Sequence, residues 1–560
     1  MSVAAPVPQS RGVLWPVLLP WLVAGVADTV AVCVAYVRPA PWQFALELGM
    51  LAGMGWAQWA FGRAWMRDPL LAAAVLSVFG ALPHAPPGAG HSIPFLAGIV
   101  IPVVLLLRWA HAKIDVPISA GVVAAVAVVL GVHLLDHWSQ ASVTTGGVQG
   151  RSDARPATSG NTSDGPPIIV ISVDTLRADA ASTMNSVARL SARGAVWPRA
   201  MSTSSWTLPA LASLQTGLMP SEHGAGCLED GHCQGLADSV PTLAEELHSR
   251  GWQTAAVVAN PWAGAGMGFA RGFASFVDPG EPGMRLILGG APVGLHGQDD
   301  QRTVDAAIDW LDGAPSRGFY LWVHLMGPHM PYLHSPLEKM RRLDPVTLRS
   351  SYPSSEKQRQ EIRDAYAAEV AYTDAQVMRL LDAISAKGVL ESGVLVFTSD
   401  HGEEFWDHGG VEHGHSHHGE IADVPLVLLA PGVPAGDRPG VASLLDVAPT
   451  IRAIAGFPAG GIDLRAGVPP DRMATAWGGI ILRLDCSARD ATARLIDRDC
   501  SQDVSAMRLF DVARDPGEGV PATPAENHPL VNTARGIIPP DRRDGVSVAS
   551  DRLRALGYLQ

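Results

Sequence analysis

The sequence predicts two unlike parts: a multi-pass α-helical membrane domain and, after a linker, an α/β domain built on a mostly parallel sheet. Three observations predict this. Long apolar runs crowd the first 136 residues. From residue 167 onward, short runs that are apolar at nearly every position alternate with helical patterns. Between the two lies a stretch rich in Ser, Thr, Gly and Asp. At 560 residues the chain is also too long for a single core.

Five apolar runs are legible in the first part, at roughly 13–37, 41–62, 69–84, 93–108 and 117–135. Several approach the ~20 residues a helix needs to cross hydrocarbon. A secretory signal would offer one such run. Arg11 precedes the first run, Arg63 and Arg67 separate the second from the third, and Arg108 and Lys113 separate the fourth from the fifth. The intervening loop "PHAPPGAGH" carries no Lys or Arg, and the loop after the first run carries only Arg38. Cationic loops stay in the cytoplasm, so the N-terminus is expected there. An odd number of crossings then delivers the rest to the outer side of the inner or cell membrane. Residues 1–136 are thus expected to form about five transmembrane helices, and 137–166 a flexible tether. Beyond them, Cys227, Cys233, Cys486 and Cys500 form two close pairs. That suits two disulfides in an oxidising compartment, with four free thiols as the alternative. A net charge of −13 argues against a nucleic-acid partner, which needs a basic face.

In the second part, "PIIVISV", "TAAVVA", "GFYLWVHL", "GVLVFTS" and "VPLVLLA" read as strands buried on both faces. Helical patterns at 240–251, 301–313 and 356–387 separate them. Ligands of such sheets bind beyond the carboxyl ends of the strands. Asp174 ends the first run, His324 and His329 lie at the end of the third, and Asp400-His401 follow the fourth.

The segment Asp400 to Glu420 holds six His among many carboxylates. It reads either as a solvated loop or as a metal and oxyanion loop. Asp174, Asp400 and His401 are the expected ligands of one divalent ion. Carboxylate with neutral imidazole suits zinc or manganese better than calcium, which prefers an all-oxygen shell. "SSWTLPALASLQTG" places Thr207 two residues before Pro209, at the tip of a helical run. A hydroxyl there reads as a cap or as a nucleophile held where an anionic ester would bind.

"VISVDTLRAD", "TLPALASLQTG", "HLMGPHMPY", "TSDHGEE" and "HGHSHHGEIADVPLVLLAPG", in this order, resemble the sulfatase family of the alkaline phosphatase superfamily. The resemblance covers about 166–560. It implies an alkaline-phosphatase-like α/β catalytic domain over 167–465 and a small antiparallel C-terminal subdomain over 466–560. It matches Asp174, Asp400 and His401 to metal ligands and Thr207 to the nucleophile. His329, with His413 or His415, matches groups that contact the ester oxygens. The sequence departs from the family pattern in three ways. Thr207 and Leu211 stand in a motif that reads Cys/Ser-x-Pro-Ser-Arg in sulfatases, and threonine cannot become the formylglycine aldehyde they use. Thr175 stands where many members have a second Asp, and Gly327 where Asp often precedes Pro-His. Threonine as nucleophile also resembles membrane-bound phosphoglycerol and phosphoethanolamine transferases, which pair five membrane helices with a domain of this fold.

The expected protein is a membrane-anchored, metal-dependent enzyme that cleaves or transfers phosphate, or else sulfate, ester groups outside the cytoplasm. Its substrate would be a phosphate or sulfate ester, with a lipid or a glycan as the candidate carrier. The alternatives are a transferase acting on envelope lipid or glycan, and a degenerate binding module. Retention of Asp174, Thr207, Asp400 and His401 speaks against the module. One prediction concerns topology: alkaline phosphatase fused after residue 150 should be active, and activity of a cytoplasm-only reporter at the same point would reject five crossings.

Overall fold

A computed structural model describes residues 163–227, 233–278, 299–341, 343, 348, 355–479, 485–537 and 547–548. The expected membrane domain, and the linker up to residue 162, lie outside the described residues. Among the described residues no helix is long and apolar enough to cross a membrane. The described residues fall in one compact unit, Gln149–Leu559.

Eight strands form the central sheet: β1 (Ile168–Val173), β2 (Ala195–Val196), β3 (Gln253–Val258), β4 (Ser275–Val277), β5 (Phe319–Leu325), β6 (Val394–Ser399), β7 (Leu426–Leu429) and β8 (Gly436–Asp437). Their order is β8-β2-β7-β6-β1-β5-β3-β4. The run from β6 to β4 is parallel throughout. All six residues of β1 are buried, because both faces of the sheet are covered. On one face Ile168 and Val170 pack with α2 (Thr207–Thr216), α3 (Leu243–Ser249) and α6 (Val447–Ile454). On the other, Ile169, Ile171 and Val173 pack with α1 (Asn185–Ser191), α4 (Asp300–Gly313) and α5 (Glu356–Ala386). Helix α5 starts at a reciprocal cap. The Ser355 hydroxyl accepts the Gln358 N–H, and the Gln358 side chain accepts the Ser355 N–H.

One strand departs from the parallel expectation. Strand β7, the "VPLVLLA" run, lies antiparallel to β6. The reason is the connection. Residues 400–423 leave the carboxyl end of β6 and contain no helix longer than four residues. The chain therefore re-enters the sheet from the same edge, and only an antiparallel strand can do that.

A second sheet, wholly antiparallel, follows: β9 (Ala474–Trp477), β10 (Cys486–Arg489), β11 (Arg494–Asp497) and β12 (Arg508–Phe510). Helix α7 (Pro529–Arg535) packs on it through Leu530, Val531 and Ala534 against Ala488 and Leu495. Cys227–Cys233 and Cys486–Cys500 are disulfides. The two sheets are joined by a buried ionic network. Arg494, wholly buried, donates to Glu518 at 2.6 Å, to Asp423 and to the His417 carbonyl at 3.0 Å. Arg489 also reaches Asp423.

Removing Arg494 would take the guanidinium from Glu518, 2% exposed, and leave only His418 and the Gly419 amide to meet a buried charge. Arg494→Ala should therefore destabilise the domain by about 3 kcal/mol, read as a lower urea midpoint. An unchanged midpoint would show that the network contributes nothing to holding the second sheet.

Candidate active site

Parallel strands end on the same edge, and their register brings four polar residues together there. Val173 pairs with both Leu325 and Ser399, and Val258 pairs with His324. Asp174, His324, Asp400 and Asn260 therefore share one rim, and each is wholly buried. Helix α2 points its first turn at them. Its N-cap is Trp206, in extended conformation and with no side-chain capping bond. Thr207 is the first helical residue, so its hydroxyl does not cap the helix. Oγ1 instead lies 3.4 Å from His401 Nε2 and 3.5 Å from Asn260 Nδ2.

Asn260 is held at both ends of its amide. Its Oδ1 accepts the Trp262 N–H at 2.8 Å, while Nδ2 donates to Asp174 Oδ2 at 2.5 Å. Trp262 in turn packs edge-on against Trp206, with centroids 5.5 Å apart. The helix tip and the Asn260 turn are thereby locked together.

The Asp174–Asp400–His401 group answers the chemistry of a divalent cation. Asp174 Oδ1 and Asp400 Oδ2 are buried without a hydrogen-bond partner. The ligand atoms of the three residues lie within 4.8 Å of one another. His401 places Nδ1 2.9 Å from the Gly402 carbonyl. With the proton on Nδ1, the Nε2 lone pair turns inward, as a metal ligand requires. Burial holds the imidazole below its usual range, hence neutral. Two buried carboxylates this close cannot both ionise at ordinary cost. Burial works to raise Asp174, but His324 at 3.6 Å and the neighbouring His329 and His401 rings hold it well below the carboxylate range. Burial and then the Asp174 charge push Asp400 well above it. A dication would relieve this asymmetry.

His413 reaches the group through the loop. Gly414 N–H donates to the Ser205 carbonyl at 2.9 Å, two residues from Thr207. The His413 ring lies 4.5 Å from that of His401 and 5.2 Å from that of His329, centroid to centroid. Its Nδ1 is 3.0 Å from Glu403 Oε1. His329 Nε2 is buried and unpartnered. His415 is placed otherwise: its Nε2 bonds Glu404 Oε2 at 2.7 Å, and no described contact joins it to Thr207 or to the carboxylate pair. Glu404 also accepts the N–H groups of His408 and Gly410, so His415 braces the turn beneath the loop.

Thr175, the residue after Asp174, takes φ 53°, a strained value for a β-branched side chain. Its N–H donates to Asp400 Oδ1 at 3.2 Å, so the strained turn joins the two acids. Leu211 lies in the apolar core beneath the sheet.

The chain matches the family model described as Sulfatase over residues 166–457. It belongs to the sulfatase family of the alkaline phosphatase superfamily. A low-salt glycan biosynthesis sulfotransferase of Haloferax volcanii is 26% identical over 274 residues, covering 48% of this chain and 57% of that protein. Arylsulfatase K of Bos taurus is 35% identical over 202 residues, covering 29% of this chain and 37% of that one. The matched regions thus span little more than half of these relatives at most. Among solved structures, a 2-O GAG sulfatase superposes with a TM-score of 0.51 at 17% identity, over 64% of this chain and 87% of that one. An enzyme solved with its substrate D-glucosamine-2-N,6-O-disulfate gives 0.51 at 16%, over 63% and 92%. At such identities the structures support the fold of this sulfatase domain and nothing finer.

The sequence reading does not single out Asn260 and gives His324 no role. Asn260 ends an apolar run, the same signal that marks Asp174 and Asp400. Asp400→Ala and His401→Ala should each lose a bound divalent ion when the purified protein is assayed for metal content. Full occupancy in both variants would place the metal elsewhere.

Proposed function

We propose that this sulfatase-family chain is a membrane-anchored enzyme that cleaves or transfers phosphoryl ester groups outside the cytoplasm, with Thr207 as nucleophile. The observation that carries this reading is the Thr207 hydroxyl. It is 1% exposed, takes no part in capping, and faces His401 and Asn260 beside two unsatisfied carboxylate oxygens. A divalent ion held by Asp174, Asp400 and His401 would supply Lewis acidity, lowering the hydroxyl's pKa and neutralising charge on the ester.

The remaining work falls to the chain itself. Asn260 Nδ2, 3.5 Å from Oγ1, helps hold the hydroxyl beside the two acids. The helix N-terminus behind Thr207 favours the incoming anion. His329 and His413 are placed to bind the non-bridging oxygens or to protonate the leaving group. Attack forms the Thr207 O–P bond and breaks the bond to the leaving alkoxide. Water or an acceptor hydroxyl then takes the phosphoryl group from Thr207. The threonine methyl bars the aldehyde route, which favours phosphoryl over sulfuryl transfer.

One observation favours a second reading, sulfuryl transfer to a glycan: the name of the Haloferax volcanii relative. Export of the domain and the boundaries 1–136, 137–166, 167–465 and 466–560 belong to the same proposal. Export, the membrane domain and the linker rest on the hydropathy and charge pattern, and the division at 465 on the family resemblance.

Labelled p-nitrophenyl phosphate and sulfate separate the readings. Wild type should carry labelled phosphorus on the Thr207 peptide, and Thr207→Ala none. Thr207→Ala should lose several orders of magnitude in turnover while folding normally, and Thr207→Ser should keep part of it. Labelled sulfur on that peptide would favour the second reading. Near wild-type turnover by Thr207→Ala would remove the residue from the mechanism.

A further inference from the structure

His329 enters the site on the Met326–His334 segment, yet that segment is anchored from outside the rim. Asp300, the first residue of α4, is 3% exposed. Its Oδ1 accepts the N–H of Met326 at 2.8 Å and that of Gly327 at 3.2 Å. Its Oδ2 accepts the hydroxyl of Thr373, on α5, at 2.8 Å. His329 N–H donates to the Met326 carbonyl at 3.0 Å, so the anchored turn is the one that carries His329. At the far end, Glu369 of α5 bonds the His334 N–H at 2.5 Å and the ring Nδ1 at 2.6 Å.

Gly327 shows how tightly the anchor is built. A Cβ there would meet Thr373 Oγ1 at 2.5 Å and Asp300 Oδ2 at 2.9 Å. A carboxyl group buried this deeply is costly unless its lone pairs are used. Asp300 is bonded by no Lys, Arg or His among the described residues, so its donors are two backbone amides and one hydroxyl.

We propose that Asp300 is a positioning residue for the reaction: an acceptor from outside the rim that fixes the turn on which His329 stands. The proposal rests on the reading of His329 as a group that meets the ester. What matters is acceptor geometry and not charge. Burial pushes the Asp300 carboxyl up to about 7. Both protonation states are therefore populated near neutrality, and in both Oδ1 accepts the two amides. In the acid, Oδ2–H donates to Thr373 Oγ1 instead. Asparagine reproduces that arrangement, with its amide donating to Thr373. Alanine does not.

The test compares full-length Asp300→Ala, Asp300→Asn and Gly327→Ala by hydrogen exchange and by steady-state kinetics. Protection of the 324–335 peptide is read against the β1 peptide, 168–173, as the reference for intact folding. Asp300→Ala should lose protection at 324–335 while 168–173 keeps it. Its kcat should fall about 100-fold, with KM changing much less, as expected when a catalytic group is misplaced by about an ångström. Asp300→Asn should recover both. Gly327→Ala, whose methyl displaces the carboxyl group, should resemble Asp300→Ala.

Wild-type protection at 324–335 in folded Asp300→Ala would overturn the proposal. So would an Asp300→Asn as impaired as the alanine variant, or lost protection with unchanged kcat. Should Asp300→Ala fail to fold, the contrast between Asp300→Asn and Gly327→Ala decides. If the wild type turns over no ester, the failure lies with the proposed function, and the exchange readout still decides whether Asp300 holds the turn.

Discussion

Two carboxylates are buried side by side at the edge of the sheet, and the rest of the site is arranged around that repulsion. Asp174 and Asp400 lie on adjacent strand ends, and each keeps one buried oxygen without a donor. Water is excluded from both, so the charge must be met from within. The protein meets it in part, with Asn260 on Asp174, His401 beside both acids, and backbone amides on Asp400. The oxygens left over are where a divalent cation would bind, and Thr207 stands beside them. A strained Thr175 is tolerated at this point because its N–H serves one of the two acids.

The supporting layers explain why the arrangement holds its shape. Four parallel strand ends deliver the rim. Helices on both faces fill the space behind it, which is why strands such as β1 are apolar throughout. The loop from Asp400 to Glu420 would be mobile if it were merely polar. It is instead tied at each stage: to Ser205 through Gly414, to Glu403 and Glu404 through His413 and His415, and to Glu518 through His418. Glu518 is in turn bonded by Arg494 of the second sheet, which also holds the His417 carbonyl. The C-terminal sheet is therefore part of what places the histidine loop.

Some of this was legible in the sequence. Burial on both faces demands unbroken apolar runs, so the strands announce themselves locally. A polar residue that ends such a run stands out for the same reason, which is how Asp174 and Asp400-His401 were found. The Thr207 stretch announced its helix through Pro209 and the following apolar residues. It left cap and nucleophile unresolved, because both place a hydroxyl at a helix tip. In the structure the Thr207 side chain turns away from the helix and toward His401, so its hydroxyl is not a cap.

By itself the sequence determined the apolar first part, the α/β class of the second, the acids at the strand ends and the family motifs. All of these are recorded in local order, because hydropathy, strand length and turn chemistry act between near neighbours in the chain. Only the tertiary structure decided which strand ends became neighbours. That choice brought Asn260 against Asp174, 86 residues apart, and His401 against Thr207, 194 apart. It set β7 antiparallel to β6, gave His415 to Glu404, and brought Asp300 under Gly327. These contacts depend on strand order and on helices packing from opposite faces, and no local pattern encodes a pairing between residues that distant in the chain.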